Sequence, residues 1–326
     1  MPKLRYWGVL SLLTALISAC ASSSSPTLQE TQVALYVQQT VIARDIAELT
    51  QAANESVLQP IVEEITEPAS TPEPLPTATG VSVPPTEPAS TFESWKQEAR
   101  ILLYEGITGD PNRSRIISRA LDSLGLGYLD TASQIGEFQS QLSSNQEWDL
   151  IIYARENRDN FSGNLFGEIF SEYDKGSSVI IEHWNLDDVL NYSAPFTMKM
   201  EKCGLAVTAD WYDPNNTADL LLYAHNTQNP IHNQPNTNIR LTSFGQLRWS
   251  GDIGDFLRLT TGSDAQVLYG TLETTDTTKA TVVSCFNNRF VLQTFSTHQY
   301  DRDRMIMLWE NYVYNTLYAR YQNLEK

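Results

Sequence analysis

The side chains best suited to chemistry in this chain fall at the ends of apolar runs. Glu105 closes the run at 101–104, Glu156 follows the one at 150–154, Glu182 and His183 close 179–181, and His298 follows 290–295. Carboxylates and imidazoles gathered in one cleft suit proton transfer or a divalent cation. No metal-ligand motif is present, so no metal or other cofactor is expected. Trp184, next in the chain, offers a stacking face to a sugar or another flat ligand. The same residue types also serve as plain caps and hydrogen-bond partners. Only four histidines occur. The other two, His225 and His232, flank the loop HNTQNPIHNQP; they are expected to be loop residues around the turn at Asn229-Pro230, a loop able to form part of a binding rim. The stretch 248–255 carries Asp252 and Asp255 but lacks the oxygen ligands and closing Glu of a calcium loop, so it is expected to be a turn.

Two kinds of element must position these groups. Short apolar runs at 100–105, 148–154 and 178–182 are buried strands, with a further short strand at 127–130. Between them, 115–124 carries Ile116, Ile117, Ala120, Leu121 and Leu124 at helical spacing, and 164–173 carries Leu165, Ile169 and Phe170 on one side. Strand–helix alternation predicts an α/β fold, a mostly parallel sheet flanked by helices. Beyond residue 200 the period drifts toward two at 220–223, 265–272, 279–285 and 290–295, with a hairpin turn at Asn287-Asn288. A long helix at 303–321 closes the chain, with Ile306, Trp309, Val313 and Leu317 as its seam.

This order of elements resembles the flavodoxin-like frame of class I glutamine amidotransferases. The segment Phe290-Val-Leu-Gln-Thr-Phe-Ser-Thr-His298-Gln-Tyr300 is similar to that family's late strand and its histidine. Residues 179–181 are similar to the strand before the nucleophile turn. The resemblance spans residues 98–326 and implies a nucleophilic Cys after the central strand. The chain departs from it there: Glu182-His183-Trp184-Asn185-Leu186-Asp187 contains no Cys or Ser and no glycine-flanked elbow. Acyl transfer from glutamine needs that nucleophile, so glutaminase activity is not expected. The resemblance then implies a non-catalytic amidotransferase-like binding or scaffolding domain. The alternative is a hydrolase using Glu and His, with or without a metal.

The beginning of the chain carries a different message. Lys3 and Arg5 precede an apolar run too short to cross a bilayer, which ends in Ile17-Ser18-Ala19-Cys20. That arrangement is a secretory signal, and its last four residues resemble the bacterial lipobox. Residues 1–19 are therefore expected to be removed, and Cys20 to be acylated with palmitate-class chains that hold the protein on the extracytoplasmic side of the cell membrane. A helical stalk follows at 20–58, where Leu35, Ile42 and Leu49 recur every seven residues. This stripe is too short to secure a coiled coil. Residues 59–93 are rich in Pro, Thr, Ser and Glu and are expected to be a disordered linker, leaving 94–326 as the α/β domain. A net charge of −17 argues against a nucleic-acid partner, which needs clustered basic residues. The expected partners are the membrane, through the lipid, and a small molecule, glycan or protein. Of three cysteines, Cys203 and Cys285 remain; in an oxidising compartment they are expected to pair, although as separate thiols they would pack as small apolar groups.

Overall fold

The computed structural model describes residues 91–107, 114–156, 164–212, 220–242, 252–274 and 278–324. Cys20, the signal, the stalk and most of the linker lie outside them. Helix α1 (Phe92–Glu98) starts from Thr91, whose side chain accepts from the Ser94 amide. It is followed by β1 (Ile101–Gly106), α2 (Ile116–Ser123), β2 (Leu129–Asp130), α3 (Ile135–Leu142), β3 (Leu150–Arg155), α4 (Leu165–Lys175), β4 (Ser178–His183), α5 (Leu186–Tyr192) and α6 (Ala194–Cys203). The second half contains β5 (Leu205–Tyr212), β6 (Tyr223–Ala224), β7 (Asp252–Leu259), β8 (Gln266–Gly270), β9 (Ala280–Cys285), β10 (Phe290–Gln293) and α7 (Arg302–Leu324).

One sheet runs β2-β1-β3-β4-β10-β9-β7-β5, with β8 on β9 and β6 on β8. The five strands from β2 to β10 are parallel. From β10 outward the pairing is antiparallel. The α/β class and parallel central sheet thus stand as the apolar runs implied, and the period-two region supplies the antiparallel extension. β1, β3 and β4 are buried along their whole length, because a parallel sheet is covered on both faces. The two faces follow strand parity. Leu103, Ile152 and Ile180 share a core with α2 and α7. Leu102, Tyr153, Val179 and Ile181 share one with α3, α4 and α6.

Several elements were not legible beforehand. The stretch expected to be a turn holds β7, whose extended backbone is fixed by pairing to β5; residues 248–251 lie outside the described residues. The strand expected at 220–223 is reduced to Tyr223–Ala224. Helix α6 begins at Ser193, whose hydroxyl accepts from the Phe196 amide, and stops at Gly204 with φ 77°, a left-handed turn suited to glycine. Cys203, at the end of α6, forms a disulfide with Cys285, at the end of β9; the Cα atoms are 5.8 Å apart. No helix among the described residues is long and apolar enough to cross a membrane.

Candidate functional site

The carboxyl ends of the parallel strands bring Glu105, Glu156, Glu182 and His298 together around one small pocket. Each is engaged by the protein itself. Glu105 is 3% exposed, and its carboxylate accepts from the amides of Ile117 (2.9 Å) and Ser118 (3.3 Å) and from the Ser118 hydroxyl (2.8 Å). It thereby caps α2, where orphan amides and the helix dipole favour a negative charge. Arg115 Nε adds an ion pair at 3.2 Å.

Glu182 accepts from Gln293 Nε2 (2.9 Å), from the Thr297 amide (3.0 Å) and from the Thr297 hydroxyl. That hydroxyl in turn accepts from the Trp309 indole at 2.7 Å, and Tyr312 donates to Gln293 Oε1 at 3.2 Å. Burial pushes the Glu182 carboxyl well above the usual range, and the Glu156 and Glu105 carboxylates push the same way. This network fastens α7 to the end of β4 and β10.

Glu156 and His298 make a pair with Nδ1 to Oε1 at 2.5 Å, and the Ser296 hydroxyl donates to the same oxygen. The other ring nitrogen, Nε2, donates to the Ser114 carbonyl at 2.8 Å. A carbonyl only accepts, so Nε2 carries a proton and faces the protein's own backbone. The pocket leaves ≈ 10 Å³ for water-sized occupants, room for about one water.

His183 and Trp184 do not join this cluster. Successive strand residues point to opposite faces, and His183, next to Glu182, turns to the other side. There it stacks on Tyr153, with centroids 6.5 Å apart, and Nδ1 accepts from the Asn185 amide at 3.2 Å. Burial, with Arg155 nearby, pushes its pKa down to about 3, so the ring is neutral. Trp184 is 1% exposed and donates from its indole to the Glu156 carbonyl at 2.9 Å, which leaves no face for a sugar. Of the six residues of the expected cleft, the sheet therefore sets His183 apart and burial withdraws Trp184. His225 follows β6, but His232 ends a single 3-10 turn, Pro230–His232, and both are buried rather than loop-exposed; His232 Nε2 lies 2.8 Å from the His225 carbonyl, and its ring meets Tyr269 edge to face.

One acidic group was missed. Asp187, Asp210 and Asp255 place a carboxylate oxygen each within 4.8 Å of the others. Asp210 and Asp255 are direct partners in the β5–β7 register, and the Leu186 amide donates to Asp255 at 2.5 Å. No local motif announces them, since strand pairing brings them together. Burial, reinforced by Asp187, Asp210 and Asp252, pushes Asp255 up to about 8. A carboxyl raised on folding contributes stability that is full below about pH 4 and is lost as pH climbs through about 8. Asp255→Asn replaces the protonated form and still accepts from Leu186. The variant is expected to flatten the stability–pH profile between about pH 4 and 8 and to gain about 2 kcal/mol at pH 8. An unchanged slope in urea titrations would count against this account.

Fold and cluster together define an α/β domain of flavodoxin-like architecture whose strand-end polar groups are closed on one another. No family model and no curated protein matches the chain. Among solved structures, it is similar to a GMP synthase-like protein of Thermoplasma acidophilum at 12% identity, covering 70% of this chain and 97% of that one with a TM-score of 0.41. A ThuA-like protein of Bacteroides uniformis is similar at 12% identity over 71% of this chain and 94% of that one, with a TM-score of 0.39. The N-terminal domain of mmIFT52 matches at 13% identity over 65% and 93%, with a TM-score of 0.41.

Proposed function

We propose that this chain is an extracytoplasmic binding or scaffolding protein, held at the membrane through acylated Cys20, whose α/β domain is not an enzyme. The observation that carries the reading is the engagement of the strand-end polar groups by internal partners. Glu105 caps α2, Glu182 fastens α7, and His298 is bound at both ring nitrogens. At the turn after β4, where an acyl-transfer nucleophile would stand, the chain has Glu182-His183-Trp184-Asn185. A hydrolase based on Glu156 and His298 would need an imidazole nitrogen facing substrate; Nε2 faces Ser114 instead. The signal-like start and Cys20 support the anchored location.

Residues held for catalysis tend to lower stability, so removing them leaves a protein as stable or more so. Structural groups behave the opposite way. Glu156→Gln and His298→Ala are each expected to lose about 2 kcal/mol in chemical denaturation, because each leaves a buried partner unpaired. Unchanged or raised stability in both variants would overturn the non-catalytic reading. The anchor has its own check: Cys20→Ser is expected to move the chain from the membrane fraction to the soluble one and to abolish labelling by a palmitate analogue. Retention in the membrane fraction would sink the lipid assignment.

A further inference from the structure

A second, much wider concavity lies at the opposite end of the parallel strands, where β4 and β10 begin rather than end. It measures ≈ 1250 Å³ and is formed by the end of α4, the loop before Pro230, the start of β8, the β9–β10 turn and the last turns of α7. Nine of its nineteen lining residues are Asn or Gln. An amide offers both a donor and an acceptor, as a sugar hydroxyl does, and a groove so lined matches a polyhydroxylated surface.

Some of these amides form a fixed floor. Asn229 Nδ2 donates to Gln266 Oε1 at 2.9 Å and to Asn288 Oδ1 at 3.0 Å. Others, including Gln228, Asn287, Gln322 and Asn323, stand exposed on the rim. Three aromatic residues line the same space: Tyr318, 41% exposed, Phe286, partly exposed, and the buried Tyr173, on which Phe286 packs at 5.8 Å. Such rings give flat apolar faces for stacking.

The charged lining groups are already engaged. Asp264 accepts from the Phe286 amide at 2.7 Å. Arg289 donates to the carbonyls of Tyr173, Gly176 and Ser177 at 2.9–3.0 Å, and its guanidinium lies over the Tyr173 ring at 4.4 Å. Held by the backbone in this way, the two charges are fixed in place, and the rest of the lining offers neutral hydrogen bonds and ring faces.

The rim is also held in an unusual shape. Of six described non-glycine residues with positive φ, four line this groove: Asn226, Phe286, Asn287 and Asn288, at 48°, 53°, 55° and 66°. Asn tolerates that region; an aromatic residue there is an outlier that the surroundings must enforce. Asp264 does so by holding the Phe286 amide, and the result presents the Phe286 ring beside the amides.

We infer that this groove is a binding site for an uncharged oligosaccharide, with Phe286 and Tyr318 as stacking faces and the rim amides as hydroxyl partners. The volume exceeds the roughly 300–1,000 Å³ of small-ligand pockets, which fits several sugar units rather than one. A peptide adding as a strand would need a free sheet edge; the groove is framed by turns and a helix end. The inference rests on the binding-domain reading and names its ligand class.

The test uses the full chain and a panel of neutral hexasaccharides (β-1,4-glucan, β-1,3-glucan, β-1,4-N-acetylglucosamine and α-mannan) in titration calorimetry. Saturable binding of at least one is expected, little changed in 1 M NaCl because the ligand carries no charge. Tyr318→Ala and Gln322→Ala should each weaken it about tenfold or more, or about 1.4 kcal/mol, with native-like circular dichroism and cooperative unfolding retained; Gln322 is exposed on the rim, so its loss should leave the unfolding midpoint in place. No binding across the panel overturns the inference, as does binding that both variants retain or a groove that takes acidic or basic peptides instead. Chromatography of each incubated sugar separates the two readings: cleavage would overturn the non-catalytic reading and leave the groove standing, whereas absence of both binding and cleavage would remove the groove alone.

Discussion

Replacing both Cys203 and Cys285 with Ala is expected to cost about 4 kcal/mol of stability, the value for a closed loop of this length in the chain-entropy account. The two residues lie 82 positions apart, and both are fully buried. Between them run β5, β6, β7 and β8, the whole antiparallel part of the sheet before β9. Without the bridge, the unfolded chain recovers the freedom of that entire loop, while the folded state loses only two small sulfur atoms from its core. Mesophilic domains rest on roughly 5–15 kcal/mol in total, so the loss is expected to bring the unfolding midpoint down sharply. Denaturant unfolding of the double variant measures it, and thiol titration of the native protein should find neither sulfur free. A loss below about 1 kcal/mol, or two titratable thiols in the untreated protein, would refute the prediction.

Gly254→Ala is expected to cost about 3 kcal/mol or more and to lower the yield of folded protein. An added Cβ would stand 1.8 Å from the Thr294 carbonyl oxygen and 3.3 Å from the Phe295 Cα. These are backbone atoms of the segment following β10, held by the Thr294 amide's bond to the Thr281 carbonyl at 2.9 Å. Neither can rotate away as a side chain would. The small residue is thus required by a close approach of two backbones, with Gly254 bridged to Phe295. The effect should reach the polar cluster, because the displaced segment leads into Ser296, Thr297 and His298. Gly136→Ala supplies the contrast: this glycine sits in α3 with nothing near its Cβ position, and alanine there should add about 0.5–1 kcal/mol. Equal effects from the two substitutions, measured by thermal unfolding, would sink the steric argument.

Some of the architecture was readable in the residues. The apolar runs of β1, β3 and β4 bury both faces and carry their own length signal. α2 and α4 carry helical spacing and stop near Gly125 and Gly176. β5 resisted reading because its burial follows no simple alternation, and its bulged register with β7 removes the period that would have announced it. The short helices α5 and α6 run through 186–203 with weak patterning. Their first-turn boundaries fall at Asn185 and Ser193, residue types that occur just as readily in turns.

The sequence by itself determined the α/β class, the positions of the strand ends, the absence of a nucleophile after β4 and the expectation that Cys203 and Cys285 pair. Those are properties of composition and local periodicity. Only the tertiary structure decided that the side of β4 carrying Glu182, and not the side carrying His183, is the one that meets Glu105, Glu156 and His298. It likewise gathered Asp187, Asp210 and Asp255, and assembled the amide groove from segments more than a hundred residues apart. The physical reason is the same in each case. Strand parity assigns a face only once the register of pairing is set, and register depends on contacts that no local window of residues contains.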